Sequence, residues 1–246
     1  MVNRRIDRKK NITSFGAIKV VTFDCYGTLM DWDKTVKDFF WEILPQFNSE
    51  RLLEIQKKWE DIQFQLIQEK YRPYEELQNE SFARVLNFFG ISSRRSLGRD
   101  FLNRLLSCEP FSDVLPLLYK LKKHFRLALI SNGPFSFLQQ HVKQIGVEFD
   151  HIISAELVHA YKPHQSIFQH ALSIFHEPSE SVLHVAAGYK YDVIPVKNLG
   201  WNVVWLNRRN ELRPGDISSD FEISTLNQFF DQVMPLCGVP HKTDAM

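Results

Sequence analysis

No stretch of this sequence comes near the roughly 20 consecutive apolar residues that a membrane-spanning helix needs, so nothing in it reads as crossing a bilayer. Cysteine is scarce. Cys25, Cys108 and Cys237 are odd in number and form no CxxC pair, which gives no basis for a disulfide framework and suits a reduced, cytoplasmic setting. An excess of either charge is missing too: 30 Lys and Arg stand against 29 Asp and Glu. That balance offers no electrostatic case for nucleic acid or for a membrane surface as partner. The basic stretch 1–14 has no apolar segment behind it, and reads as a solvated tail rather than a secretory signal or a nucleic-acid arm. Repeats and low-complexity segments are absent. What is present is ordinary globular material: 246 residues, 44% hydrophobic and 24% charged, enough for one large domain or for a core with an insertion.

The organising stretch is 17–30, AIKVVTFDCYGTLM. Its short, continuous apolar run ends at Asp24 and is followed by the turn formers Gly27 and Thr28. Such a run, bounded by turn signals, predicts a strand buried on both faces, as in a parallel sheet. Open α/β sheets bind ligands outside the carboxyl ends of their strands, which is where Asp24 falls.

Beyond Met30 the pattern turns helical. Residues 32–44 carry Val36, Phe39, Phe40, Ile43 and Leu44 on one stripe and end at Pro45. Further helices are expected over 50–71, 74–89 and 100–108, so about eighty residues of helical sequence interrupt the chain after its first strand. Alternation resumes from Pro110: helix 114–123, strand 127–130, helix 135–145, strand 149–154, helix 166–175, strand 182–185, helix 193–199, strand 202–205, an edge strand 221–223 and a terminal helix 224–234. Strands separated by helices predict βαβ units and a doubly wound parallel sheet, an α/β fold.

Asp24, Ser131 and Asp192 each follow a different strand, and Lys162 comes from an intervening loop. In a doubly wound sheet those loops converge. Singly, Asp24 and Asp192 also suit helix N-caps, Ser131-Asn132-Gly133 a plain turn and Lys162 a solvated lysine; their joint order favours a site. His159, His164 and His170 are loosely spaced and read as surface histidines rather than a metal cluster, and 92–95 reads as a solvated loop.

Asp24-Cys25-Tyr26-Gly27-Thr28-Leu29, with the three later positions in order, resembles the motifs of the haloacid dehalogenase superfamily. The Tyr at the third place is the form of its 2-haloacid dehalogenases. The resemblance implies a Rossmann-like core, 1–30 and 110–246, and a small all-helical cap, 31–109. It also implies that Asp24 is the nucleophile, with Ser131, Lys162, Asp192 and Thr28 completing the catalytic set. The chemistry suits these types: a carboxylate nucleophile must stay ionised before an anionic substrate, and a nearby lysine holds it so. Ser131 and backbone amides after Asp24 suit an oxyanion. Cys25, Tyr26, Asn132 and, in the cap, Arg72 are the substrate-binding candidates.

Departures from the pattern separate the reactions. Phosphatases of the superfamily carry an acid where Tyr26 stands, to protonate the leaving alkoxide, and acids near Ala186-Ala187 for Mg²⁺. A halide needs no proton. The expected reaction is hydrolytic C–halogen cleavage of a small haloacid without a cofactor. The alternatives are a Mg²⁺-dependent phosphatase on a small phosphate ester, its metal on Asp24, the Tyr26 carbonyl and Asp192, and a catalytically weak binding protein. The cap arginine of known 2-haloacid dehalogenases aligns with Ile55, beside Lys57 and Lys58, and their tyrosine after the lysine is Phe168 here. A small anionic substrate is the expected partner, and a homodimer stays open.

Overall fold

The computed structural model describes residues 14–93 and 96–238. The basic tail up to residue 13, and Arg94 and Arg95 of the 92–95 loop, lie outside the described residues. Six parallel strands form one sheet in the order β3-β2-β1-β4-β5-β6. They are β1 (Val20–Phe23), β2 (Arg126–Ser131), β3 (His151–Ser154), β4 (Val182–Ala186), β5 (Asn202–Leu206) and β6 (Phe221–Ile223). The chain runs outward from β1 to β3, then returns to β4 on the other side of β1 and runs outward again. The strand order therefore reverses between β1 and β4, the place where doubly wound sheets bind ligands. Every residue of β1 is buried, as a central strand of β-branched and aromatic side chains requires.

Four helices separate β1 from β2: α1 (Trp32–Ile43), α2 (Ser49–Leu66), α3 (Tyr74–Phe88) and α4 (Leu97–Leu106). Asp31 caps α1 by accepting from the Lys34 N–H at 3.0 Å, and Asn48 caps α2 in the same way from Arg51 at 2.9 Å. The chain enters and leaves this insertion side by side, Asp31 N–H bonding to the Glu109 carbonyl at 2.8 Å and Phe111 N–H to the Leu29 carbonyl at 2.9 Å. Its interior is aromatic. Trp59 is fully buried, with ring centroids of Phe82 at 5.1 Å, Phe101 at 5.4 Å, Phe40 at 5.5 Å and Trp32 at 6.0 Å. Its indole N–H donates to Ser81 Oγ at 2.8 Å, so the one polar atom of the ring is satisfied.

After the insertion come α5 (Val114–Leu121), α6 (Phe135–Ile145), α7 (Ala155–Val158), α8 (Gln165–Phe175) and α9 (Ile194–Asn198). The elements follow the expected order, with four differences. The second helix stops at Leu66, where the Gln68 side chain bonds back to the Phe64 carbonyl at 2.6 Å and turns replace the last expected turn. The one-turn α7 carries too few residues to show a period. The segment after β4 opens with a π-helical turn, Tyr189–Val193, ahead of α9. The expected terminal helix is a π-helical turn, Phe229–Val233, followed by a 3-10 turn, Met234–Cys237, in whose first positions Pro235 is tolerated because no N–H is needed there. No helix among the described residues is long and apolar enough to cross a membrane.

Trp59→Ala should lower unfolding free energy by about 3–5 kcal/mol, the usual cost of emptying a large aromatic site. Urea denaturation followed by circular dichroism checks this; a loss under about 1 kcal/mol would mean that Trp59 does not anchor the helical insertion.

Candidate active site

The loops leaving the carboxyl ends of β1, β2 and β4 meet around one ammonium group. Lys162, on the loop between α7 and α8, is 2% exposed and uses all three of its donors. It bonds to Asp24 Oδ1 at 2.7 Å, to Asp192 Oδ1 at 2.5 Å and to the Ile130 carbonyl at 3.1 Å. Asn132 fixes the lysine backbone, accepting from its N–H at 2.7 Å and donating to its carbonyl at 3.1 Å. Thr28 donates to the other Asp24 oxygen, Oδ2, at 2.8 Å and accepts from the Ala187 N–H at 2.9 Å, joining the β1 and β4 loops. Gly27, at φ +83°, gives the β1 loop the left-handed residue that its tight return needs.

The expected five therefore come together: Asp24, Thr28, Lys162 and Asp192 are directly linked, and Ser131 lines the same cavity. Ser131 Oγ accepts from the Gly133 N–H at 3.3 Å, while its own proton has no acceptor among the described residues and is free to donate into the cavity. The substrate-binding candidates fare differently. Cys25 is fully buried behind the site and is absent from the cavity wall, with its thiol pushed well up by burial. Asn132 reaches the wall, but both ends of its amide are spent on Lys162. Arg72 does not reach it: its guanidinium pairs with Glu69 and its carbonyl accepts from the Tyr161 hydroxyl at 2.9 Å. Ile55 is buried inside the helical insertion, and neither Lys57 nor Lys58 lines the cavity.

Tyr26 contributes its ring to the wall, packed on Trp32 with centroids 5.6 Å apart. Its hydroxyl is buried away from the cavity and has no partner among the described residues. A side chain at Gly133 would come within 2.7 Å of the Tyr26 ring, so only glycine admits this ring position. Burial pushes the Tyr26 phenol well above its ordinary range.

The cavity encloses about 330 Å³ between the sheet edge and the helical insertion. Trp32, Phe64, Tyr74 and Tyr191 make its apolar wall. Sequence reading missed those aromatics as lining, and also Lys190, Arg208 and Arg209. The arginines are already engaged. Arg208 forks onto Asp113 at 2.8 and 2.9 Å, and Arg209 pairs with Asp33 across the cavity mouth. Sequence reading also missed His184, in the middle of β4, whose signal was a lone polar ring in an otherwise apolar strand.

Burial raises the Asp24 carboxyl above the ordinary range and Asp192 adds to the effect, while Lys162 and Thr28 pull the other way. Burial also opposes charge on Asp192, but the Lys162 ammonium and the bonds from His184 and Lys162 outweigh it and hold this carboxyl low. For Lys162 burial again disfavours the charge, and the two carboxylates more than reverse it, holding the ammonium above its usual value.

Asp24 and Asp192 each turn Oδ1 onto the Lys162 ammonium, and Asp24 Oδ2 accepts from Thr28, so Asp192 Oδ2 is the carboxylate oxygen of this set without a bonded partner among the described residues. Among the described residues no three His, Cys, Asp or Glu side chains converge as metal ligands, and the three histidines 159, 164 and 170 form no such group.

Comparison with known proteins bears on the family and the fold. A family model described as haloacid dehalogenase-like hydrolase matches residues 18–200. Haloacetate dehalogenase H-2 of Moraxella sp. (strain B) is 28% identical over 194 residues, 78% of this chain and 86% of that protein. The (S)-2-haloacid dehalogenase of Xanthobacter autotrophicus is 27% identical over 198 residues, 79% of this chain and 77% of that one. The crystal structure of the L-2-haloacid dehalogenase RSc1362 superposes with a TM-score of 0.79 at 20% identity, covering 89% of this chain and 99% of that one. The Xanthobacter autotrophicus L-2-haloacid dehalogenase with chloropropionic acid covalently bound superposes with a TM-score of 0.71 at 23% identity, covering 88% and 99%.

The raised Asp24 carboxyl has a consequence for stability. Above the unfolded-chain value of about 3.9 the ionised group works against folding, so Asp24→Asn should fold at least as stably as the wild type at pH 7. The advantage should shrink as the pH falls toward that value, where both side chains are neutral. Thermal unfolding across this range measures it; a variant several degrees less stable at pH 7 would show that Lys162 repays the burial of Asp24 in full.

Proposed function

The chain belongs to the haloacid dehalogenase-like hydrolase family, and from that premise we propose that it hydrolyses the carbon–halogen bond of a small 2-haloacid, with Asp24 as nucleophile. The observation that carries this reading is an Asp24 carboxylate held by Lys162 and Thr28, with a tyrosine rather than a carboxylic acid two residues beyond it, whose hydroxyl is buried. The named activities of the similar dehalogenases support it, as does the family's covalent complex. The helices α1 to α4 act in this reading as a cap that keeps water from the reacting carbon.

In the first step an Asp24 oxygen attacks the carbon bearing halogen from the side opposite the halide. The C–X electron pair leaves with the halide, which needs no proton, and an ester to Asp24 forms. Lys162 and Thr28 hold the carboxylate in one orientation, so little rotational freedom remains to be lost at the moment of attack. In the second step water adds to the ester carbonyl of Asp24. The resulting oxyanion meets the Ser131 hydroxyl, whose proton is unspent. Collapse breaks the bond from the Asp24 carboxyl carbon to the ester oxygen, which leaves as the 2-hydroxy acid carrying one proton of the attacking water; the other proton passes to solvent, and Asp24 keeps one oxygen from water.

The substrate carboxylate needs a cation. Among the described residues, Lys190 is the cation of the cavity wall that no carboxylate engages; its ammonium lies 5.5 Å from the centre of the Phe64 ring. We assign it to the substrate carboxylate.

Halide release from L-2-chloropropionate and L-2-bromopropionate should be independent of Mg²⁺ and chelator and should vanish in Asp24→Asn. Multiple turnovers in heavy-oxygen water should place label in Asp24; active enzyme without that label would remove the covalent route. Phosphate release from an aryl phosphate that depends on Mg²⁺ would replace this reading with a phosphatase.

Lys190→Met should raise KM about three- to tenfold with kcat nearly unchanged, as suits one exposed ion pair to substrate. Steady-state kinetics on L-2-bromopropionate decide it, and an unaltered KM would send the carboxylate elsewhere in the cavity.

A further inference from the structure

The strand β4 carries one polar side chain in its middle, and it is fully buried. His184 lies beside Thr22 of β1, its register partner in the sheet, under the floor of the site. Thr22 Oγ1 is 2.7 Å from His184 Nδ1, and His184 Nε2 is 3.1 Å from Asp192 Oδ1. Phe168 and Trp201 flank the ring, with centroids at 5.8 and 6.2 Å. An ionised carboxylate can only accept, so Nε2 carries the proton that meets Asp192; Thr22 is placed to donate to Nδ1 and fix that tautomer.

Asp192 needs such support. It sits on the π-helical turn Tyr189–Val193, and its Oδ1 is the atom that holds Lys162. The lysine in turn reaches Asp24 from a flexible four-carbon stem whose ammonium can rotate. We propose that His184 is a positioning residue for the nucleophile: from beneath the sheet edge it fixes Asp192 Oδ1, which fixes the Lys162 ammonium against Asp24. The groups facing it are Thr22 from β1, Asp192 from the β4 loop and, through that carboxylate, Lys162. The role never touches substrate, and it rests on the reading of Asp24 as nucleophile.

His184→Phe keeps an aromatic ring between Phe168 and Trp201 but removes the donor; His184→Gln returns an N–H toward Asp192. With L-2-bromopropionate, His184→Phe should lose about 10–100-fold in kcat, the range for outer groups that orient an active one, with KM within twofold. His184→Gln should recover to within a few-fold of wild type. Wild-type kcat in His184→Phe, or equal losses in both variants that track a fall in Tm, would overturn the proposal and leave His184 a packing residue. Wild-type protein that releases no halide would sink the substrate reading instead. The positioning is then decided by ¹⁵N spectra, in which His184→Phe should shift the buried Lys162 ammonium resonance and His184→Gln should restore it. An unmoved resonance in His184→Phe overturns the positioning.

Discussion

A single buried ammonium holds this site together. Without Lys162 the fold would place Asp24 and Asp192 side by side in an apolar cavity, two like charges with nothing between them. Removing the ammonium would leave both carboxylates desolvated with no counter-charge, the kind of loss that typically costs about 3–5 kcal/mol. The third donor of Lys162 goes to the carbonyl of Ile130, so the ammonium is anchored to the sheet itself as well as to side chains. Asn132, on the turn that follows β2, locks the lysine backbone from both sides. Loops from β1, β2 and β4 are thereby tied to one nitrogen, and the placement of Asp24 follows from that knot rather than from any one loop.

The helical insertion supplies the second constraint. Its aromatic interior leaves Trp32, Phe64 and Tyr74 on the cavity side, and Tyr191 faces them from the β4 loop, where its ring meets Phe64 edge to face at 5.0 Å. Excluding water strengthens each interaction of the Lys162 cluster and, by the same physics, makes the charge on Asp24 costly. The cluster carries two carboxylates and one ammonium, a net negative charge that burial resists. Asp24 bears that resistance, and Asp192, held by both His184 and Lys162, does not. A nucleophile left less comfortable than its neighbour is the usual signature of stability given up for reactivity.

Much of this was legible in the chain because each of Asp24, Ser131 and Asp192 ends or follows an apolar run that can only be a buried strand. Strand identity then fixes which sheet edge they share. The helix over 135–145 was bounded correctly because Pro134 opens it and Gly146, in the left-handed region, closes it. Less legible was where a side chain points within a loop: Tyr26 and Asn132 do line the cavity, while Cys25 and Arg72 do not. Cys25 and Tyr26 follow Asp24 directly, yet one turns into the core and the other presents only its ring, since the tight return at Gly27 sets their directions. Asn132 turned inward to Lys162, a residue 30 positions away. Arg72 was claimed by a neighbouring Glu69. His184 was passed over because an apolar strand hides one polar member until its register with Thr22 is known.

The position of Tyr26 limits the chemistry more than any residue that is missing. Its ring fills the place two residues beyond Asp24, Gly133 leaves room for it, and its hydroxyl is buried with no partner among the described residues. In the proposed reading a substrate entering here meets the Asp24 carboxylate, an unspent Ser131 proton and aromatic walls, with no carboxylic acid two residues beyond Asp24; the acids of the wall, Asp33, Glu60, Asp61 and Glu211, come from the helical insertion and from the loop after β5. Leaving groups that depart as stable anions are therefore favoured over alkoxides by the pKa difference of their conjugate acids. A halide meets that condition without help, which makes the absence of an acid at this position a determinant of substrate and not a defect of the site.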